Sequence, residues 1–238
     1  MSLSAIILAA GFSSRMGRPK ALLKWKGKTF LENICENLIK ADVENIVIVT
    51  NSSIDKECRL MKPFRAGQNG SSNPLSSRMS RSKHREGVAQ SAGVCNLPTF
   101  APSNLCFERG FVINPNPEHG MLSSFRCGLR TLDLLNTNVM LCLTDHPAVK
   151  AETYKSLIEN AKKNKIIIPK YNDRRGHPVI FGADFISELL ENDCPEGART
   201  IVRAHSESVK EIYVDDSGIL LDIDTPEDAE KAGVKIII

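Results

Sequence analysis

The sequence predicts an α/β protein: a three-layer α/β/α arrangement around a mostly parallel sheet, mixed at one edge, in a single domain with a long insertion between its second and third strands. Two observations lead there. Short aliphatic runs alternate with amphipathic stretches, the pattern of strands that return through helices. The 238 residues are 42% hydrophobic but only 5% aromatic, which suits helices packed on a Val/Ile/Leu sheet.

The elements follow in order. "AIILAA" (5–10) reads as a buried strand. In "TFLENICENLIK" Phe30, Leu31, Ile34 and Leu38 share one helical face, and Thr29 with Glu32 forms a capping box. "NIVIVTN" (45–51) and "FVINPN" (111–116) are further strands, and "GMLSSFRCGLRTLDLL" (120–135) is a helix. "VMLCLTD" (139–145) is a fourth strand. The next helix places Tyr154, Leu157, Ile158 and Ala161 on one side. "KIIIPKY" and "HPVIFG" read as strands, 183–191 and 197–205 as helices, 210–214 and 219–223 as strands, and a short helix starts at Pro226 before "VKIII". This is a Rossmann-like order, in which ligands bind beyond the carboxyl ends of the strands. That rule marks the positions after Ala10, Thr144 and Ile223.

Residues 65–106 break the rhythm. "RAGQNGSSNPLSSRMSRSKHREG" has neither period, and so reads as an atypical insertion, flexible or on the surface. It also explains the charge. The stretch from Asp55 to Gly110 holds 9 Lys and Arg against 4 Asp and Glu, leaving 22 against 24 elsewhere. Basic charge confined to one segment, without interleaved aromatics, argues against a nucleic-acid partner. No apolar run reaches the roughly 20 residues of a bilayer span, and the first strand lacks the basic leader of a signal peptide. Seven cysteines without CxxC spacing exclude a zinc site and a disulfide framework, and Cys35, Cys127 and Cys142 fall in apolar patterns. A cytoplasmic location and no membrane partner are expected. The oligomeric state is left open.

The chemistry concentrates at strand ends. "LAAGFSSRMGRPK" (8–20) runs from a strand into a loop with Gly11, Arg15, Gly17, Arg18 and Lys20. Gly11 allows close backbone approach, and Arg15 and Lys20 carry the charge needed to neutralise a triphosphate. The spacing is neither GxxxxGK[ST] nor GxGxxG. Asp145 ends an apolar strand in "LTDHPAV", while "LDIDTPED" puts Asp222 and Asp224 at the end of another. Two aspartates from separate strand ends suit a hard Mg²⁺ ion. Glu227 and Asp228 read as first-turn structural charges. Ser123 and Ser124 sit at a helix start whose N–H groups face a ligand or are merely capped.

The first loop resembles the LAAGxSxRMGxPK signature of nucleotidyltransferases that use the molybdenum cofactor, within the larger group with the nucleotide-diphospho-sugar transferase fold. Its doubled Ala is closer to the cytidylyltransferase branch than to the guanylyltransferase branch. "NPNPEHGMLSSFRCG", "RRGHPVIF" and "GARTIVRAH" resemble further segments of that family. The resemblance covers most of 3–64 and 111–232, but not the insertion. It implies that Leu8, Ala9, Ala10, Gly11, Arg15, Lys20, Ser123 and Ser124 hold CTP, and that Arg15, Lys20 and Asp145 are catalytic. It further implies that Asp145 and a second residue, Asp224 before Asp222, hold Mg²⁺, and that His177 and Arg199 lie on the acceptor side. The implied reaction moves CMP from CTP to a phosphorylated acceptor, molybdopterin first, releasing pyrophosphate. A sugar or alditol phosphate acceptor, or a non-catalytic nucleotide-binding regulator, remains open.

Overall fold

The structure, a computed structural model, describes residues 2–13, 16–59, 107–108 and 110–234. The insertion over 65–106, Arg15 and the final "KIII" lie outside the described residues. Strands β1 (Ser2–Leu8), β4 (Asn45–Thr50), β6 (Phe111–Ile113) and β7 (Thr137–Leu143) form a parallel centre in the order β7-β1-β4-β6. The far side is mixed: β10 (Val179–Phe181) runs antiparallel to both β7 and β8 (Ile166–Tyr171), and β11 (Val209–Tyr213) is parallel to β8. Short strands β5 (Phe107–Glu108) and β9 (Arg174–Arg175) add antiparallel edges. A separate hairpin pairs β2 (Lys24–Trp25) with β3 (Lys28–Thr29). Among the described residues no helix is long and apolar enough to cross a membrane.

Side chains alternate along β1 and so build two cores. Ala5 and Ile7 face the layer of α1 (Phe30–Lys40) and α4 (Ala151–Glu159), where Leu31, Ile34, Leu38, Tyr154 and Leu157 are buried with them. Ile6 and Leu8 face α3 (Met121–Leu129), α5 (Ile186–Glu191) and α6 (Ala198–Ala204), packed through Phe125, Leu129, Ile186, Leu189 and Ile201. Close packing of α3 depends on Gly128, where a Cβ would stand 2.7 Å from Ile6 Cγ2. A third cluster of Met16, Leu23, Phe30, Ile223 and Ala229 seats α7 (Pro226–Lys231) against the start of α1. α2 (Asp55–Arg59) follows β4.

The capping box on α1 forms as the sequence predicts: Glu32 N–H donates to Thr29 Oγ1 at 3.1 Å and Thr29 N–H to Glu32 Oε2 at 2.7 Å. Two expectations fail. The helix expected over 120–135 ends at Leu129, where the chain turns. Residues 219–223 are not a strand, because Asp216 caps a 3-10 helix over Ser217–Leu220 and the chain beyond it runs without ladder pairing. Cys35, Cys58, Cys127, Cys142 and Cys194 are buried as free thiols, and burial pushes the first four above the usual thiol range.

Candidate active site

The parallel strands β1, β4, β6 and β7 all end on one side, and an open cleft of about 310 Å³ lies there. Its floor is the turn after β1, whose backbone is fixed by three hydrogen bonds. Ala9 N–H donates to Val49 O at 2.8 Å, Asn51 Nδ2 to Ala10 O at 2.8 Å, and Thr144 Oγ1 to Leu8 O at 3.0 Å. The loop then folds back: Lys20 N–H donates to Ser13 Oγ at 3.0 Å, with Ser13 in the left-handed region at φ 48°. Leu8, Ala9, Ala10, Gly11, Lys20, Ser124, Asp145 and Asp224 all line the cleft. Phe12, Met121 and Thr144 join them there, three residues that the sequence reading did not assign.

A Cβ added at Gly11 meets no atom within 4 Å, so a side chain there would stand in the cleft itself. Gly11→Val is therefore expected to change folding stability by less than about 0.5 kcal/mol. The same change should weaken nucleoside triphosphate binding about tenfold or more. Thermal unfolding and calorimetric titration of one preparation check both halves.

Lys20 lies between two carboxylates. Its ammonium pairs with Asp224 and lies 3.6 Å from Asp145 Oδ2. The other oxygen of Asp145 is 2.9 Å from His146 Nδ1. Burial alone would raise the Asp145 carboxyl, but the hydrogen bond and charge of His146, then the charges of Lys20 and His177, hold it below the usual carboxylate range. Asp222 moves the other way: burial and the Asp145 charge beside it push its carboxyl up.

The two aspartates of the last segment meet different partners. Ile223 N–H donates to Asp145 O at 3.0 Å, with Asp222 on one side of that bond and Asp224 on the other. Asp224 meets Lys20, whereas Asp222, Asp145 and His146 bring one donor atom each within 4.8 Å of one another. That set of two carboxylates and one imidazole fits a divalent cation. His146 carries no motif signal and escaped sequence reasoning. Its ring meets that of His177 edge-on, with centroids 5.0 Å apart. Burial, then the His146 charge, brings the His177 imidazole down to about 4, with Arg199 acting the same way against Asp145. Among the described residues, His177 Nδ1 is buried without a hydrogen-bond partner. His177 thus lies beside the acidic group through His146, off the cleft lining.

Ser123 and Ser124 separate. Ser124 lines the cleft, while Ser123 Oγ donates to Gly120 O at 2.9 Å and Asn114 Nδ2 donates back to it at 2.9 Å. Asn114 is buried and also donates to Ser124 Oγ at 3.0 Å, so it fixes both hydroxyls at the start of α3.

Asp216 anchors the segment that carries the last aspartates. Its Oδ2 accepts from Lys150 N–H at 2.8 Å and from Thr153 Oγ1 at 2.7 Å, and its Oδ1 from Gly218 N–H at 2.9 Å. Gly218 can approach only because it lacks a side chain, since a Cβ would stand 2.4 Å from Ala148 O. Asp216→Ala strands three donors, two of them in buried contacts, and is expected to cost about 3 kcal/mol. Calorimetry should read this as a Tm drop of about 10 °C, and a drop under 2 °C would contradict the anchoring role.

Comparison with known proteins agrees with this arrangement. A family model described as the MobA-like NTP transferase domain matches residues 5–209. Nicotine blue oxidoreductase of Paenarthrobacter nicotinovorans is 24% identical over 235 residues, 94% of this chain and 93% of that protein. A probable molybdenum cofactor guanylyltransferase of Bacillus cereus (strain G9842) is 43% identical over 51 residues, 21% of this chain, so the chain matches only 25% of that protein's length. Among solved structures, Rv0371c of Mycobacterium tuberculosis H37Rv superposes with a TM-score of 0.69 at 21% identity over 97% of each chain. Its complex with manganese gives 0.66 at 20% over 98% of each. At these identities the superpositions speak for the fold, whereas the family match spans most of the chain, including the loop after β1 and Asp145, and ends before Asp222 and Asp224. The chain belongs to the family of MobA-like NTP transferase domains and is a nucleotidyltransferase.

Proposed function

We propose that the protein transfers CMP from CTP to the phosphate of a molybdopterin-type acceptor and releases pyrophosphate. An acceptor phosphate oxygen attacks the α-phosphorus, the new P–O bond forms in line, and the bond to the bridging oxygen of the departing pyrophosphate breaks. The observation that carries this reading is the meeting of Lys20, Asp145 and Asp224 at the mouth of a cleft floored by Leu8 to Ser13. Phosphoryl chemistry of this kind depends on positioning and charge neutralisation, and an ionised acceptor phosphate needs no general base.

Each residue has a defined task. The Leu8–Ser13 backbone and Ser124 receive the nucleotide, and Lys20 and Arg15 neutralise its phosphates and then the leaving group. Asp145 with an aspartate of the 222–224 segment would hold a divalent cation, Mg²⁺ in the simplest case, which supplies charge neutralisation between acceptor and nucleotide. The acidic donor set supports that assignment, as does the manganese complex of the structurally similar Rv0371c. His177, packed against His146, serves the acceptor side together with Arg199. The doubled Ala at 9–10 supports CTP, and the guanylyltransferase match supports an acceptor of the molybdenum cofactor class.

The test is pyrophosphate release from each of the four ribonucleoside triphosphates with divalent metal, with and without molybdopterin. Release with CTP and molybdopterin together is expected. Acceptor-dependent release with another nucleotide would overturn the base assignment alone. A second reading is favoured by one observation, that the relative matched over 94% of the chain is named an oxidoreductase. In that case pyrophosphate stays at background with every acceptor, and the same cleft holds a nucleotide without cleaving it.

A further inference from the structure

Resting on the reading that a divalent cation binds at Asp145, we propose that its ligands are Asp145, Asp222 and a ring nitrogen of His146. This mixed set makes the site prefer a first-row transition ion such as Mn²⁺ to Mg²⁺.

Three features of the chain lead there. First, the donor atoms are already spaced for a common ion. Ligands at right angles around an octahedral cation with bonds of about 2.1 Å lie about 3 Å apart. His146 Nδ1 and Asp145 Oδ1 are 2.9 Å apart, and a donor atom of Asp222 completes a group within 4.8 Å. Second, the charges divide the site in two. Asp145 turns Oδ2 toward the Lys20 ammonium at 3.6 Å and Oδ1 toward His146, while Asp224 pairs with the same ammonium. An ion placed between Asp145 and Asp224 would sit against that cation, at a repulsive cost that rises with burial. An ion between Asp145 and Asp222 has two carboxylates to match its charge, and the imidazole adds a nitrogen donor. Third, the donors differ in freedom. His146 is buried and held edge-on by His177, whereas Asp222 is solvent-exposed and leaves room for water or a phosphate oxygen in the remaining positions.

The metal preference follows from donor chemistry. Mg²⁺ favours oxygen ligands and retains its waters, while imidazole suits first-row transition ions. Replacing one oxygen ligand by nitrogen therefore penalises Mg²⁺ more than Mn²⁺.

The test uses the full chain freed of metal and titrated with Mn²⁺, read by electron paramagnetic resonance and electron spin echo modulation, with Mg²⁺ as competitor. Bound Mn²⁺ is expected to show the nitrogen modulation of a directly ligated imidazole and to resist Mg²⁺ by about tenfold or more in Kd. His146→Gln should abolish the modulation and remove most of that preference, and His177→Gln should leave the modulation in place. Bound Mn²⁺ without nitrogen modulation would overturn the proposal, as would modulation that survives His146→Gln or disappears in His177→Gln. Equal affinities for the two ions would overturn the preference. Absence of any bound Mn²⁺ would overturn the proposal together with the cation reading beneath it. The wild-type and His177→Gln spectra decide the ligand even where His146→Gln fails to fold.

Discussion

Asp145→Asn is expected to leave the protein folded and to lower metal-dependent nucleotidyl transfer by about a thousandfold, equivalent to roughly 4 kcal/mol of transition-state stabilisation. The substitution keeps the size of the side chain and leaves the Ile223 N–H to Asp145 O bond untouched, since that bond uses the backbone. What it removes is the negative charge facing Lys20 on one oxygen and His146 on the other. Two opposed terms act on stability, the lost attractions and the relieved burial of a charge, so the change in Tm should stay within about 5 °C. The deciding measurement is turnover at saturating metal and nucleotide, with metal affinity measured separately. A rate near that of the unaltered protein would remove Asp145 from the machinery. A rate restored by excess metal would make it a binding residue only.

That Asp145 could be singled out from the sequence, while its partners could not be fixed, has a physical reason. A carboxylate that ends an all-apolar strand is conspicuous because its surroundings are predictable. β7 is buried from Thr137 to Leu143, and a central parallel strand of this kind must deliver its next residues to the carboxyl edge of the sheet. The loop after β1 stood out for the same reason, its charged residues following directly on the strand. The resemblance put Asp224 before Asp222, and in the strand expected there residues two apart share a face, so local geometry favours neither. The Asp216 cap instead turns Ser217–Leu220 into a 3-10 helix, Ile223 N–H is tied to Asp145 O, and the two carboxylates meet different partners. Such a tie joins residues 78 positions apart and leaves no local trace. His146 is the same kind of miss: its meaning comes from Asp222 and His177, both distant in sequence. The hairpin of β2 and β3 was missed for want of length, since two-residue strands show no alternation. Its only mark is Lys26-Gly27, both at positive φ, 52° and 84°.

Lys20→Met is expected to lower kcat/KM for the nucleotide by about a hundredfold or more, near 3 kcal/mol, and to do so while metal binding grows stronger. The opposite signs follow from where the ammonium lies. In the ligand-free protein Lys20 neutralises Asp145 and Asp224 together and competes with any divalent cation for their charge. Removing it takes one positive charge away from both carboxylates, which raises their attraction for a cation. The triphosphate loses its partner at the same point. Lys20→Arg should recover less than a tenth of the lost rate, because a planar, forked guanidinium cannot replace a compact ammonium between two carboxylates. A role confined to holding the loop would weaken both ligands together, and the loop contact of Lys20 with Ser13 is made by the backbone, which Met retains. Parallel titrations of the Lys20→Met protein with Mn²⁺ and with the nucleotide therefore separate the two roles. Tighter metal with weaker nucleotide supports the charge exchange at Lys20, and weakening of both would assign the residue to the scaffold.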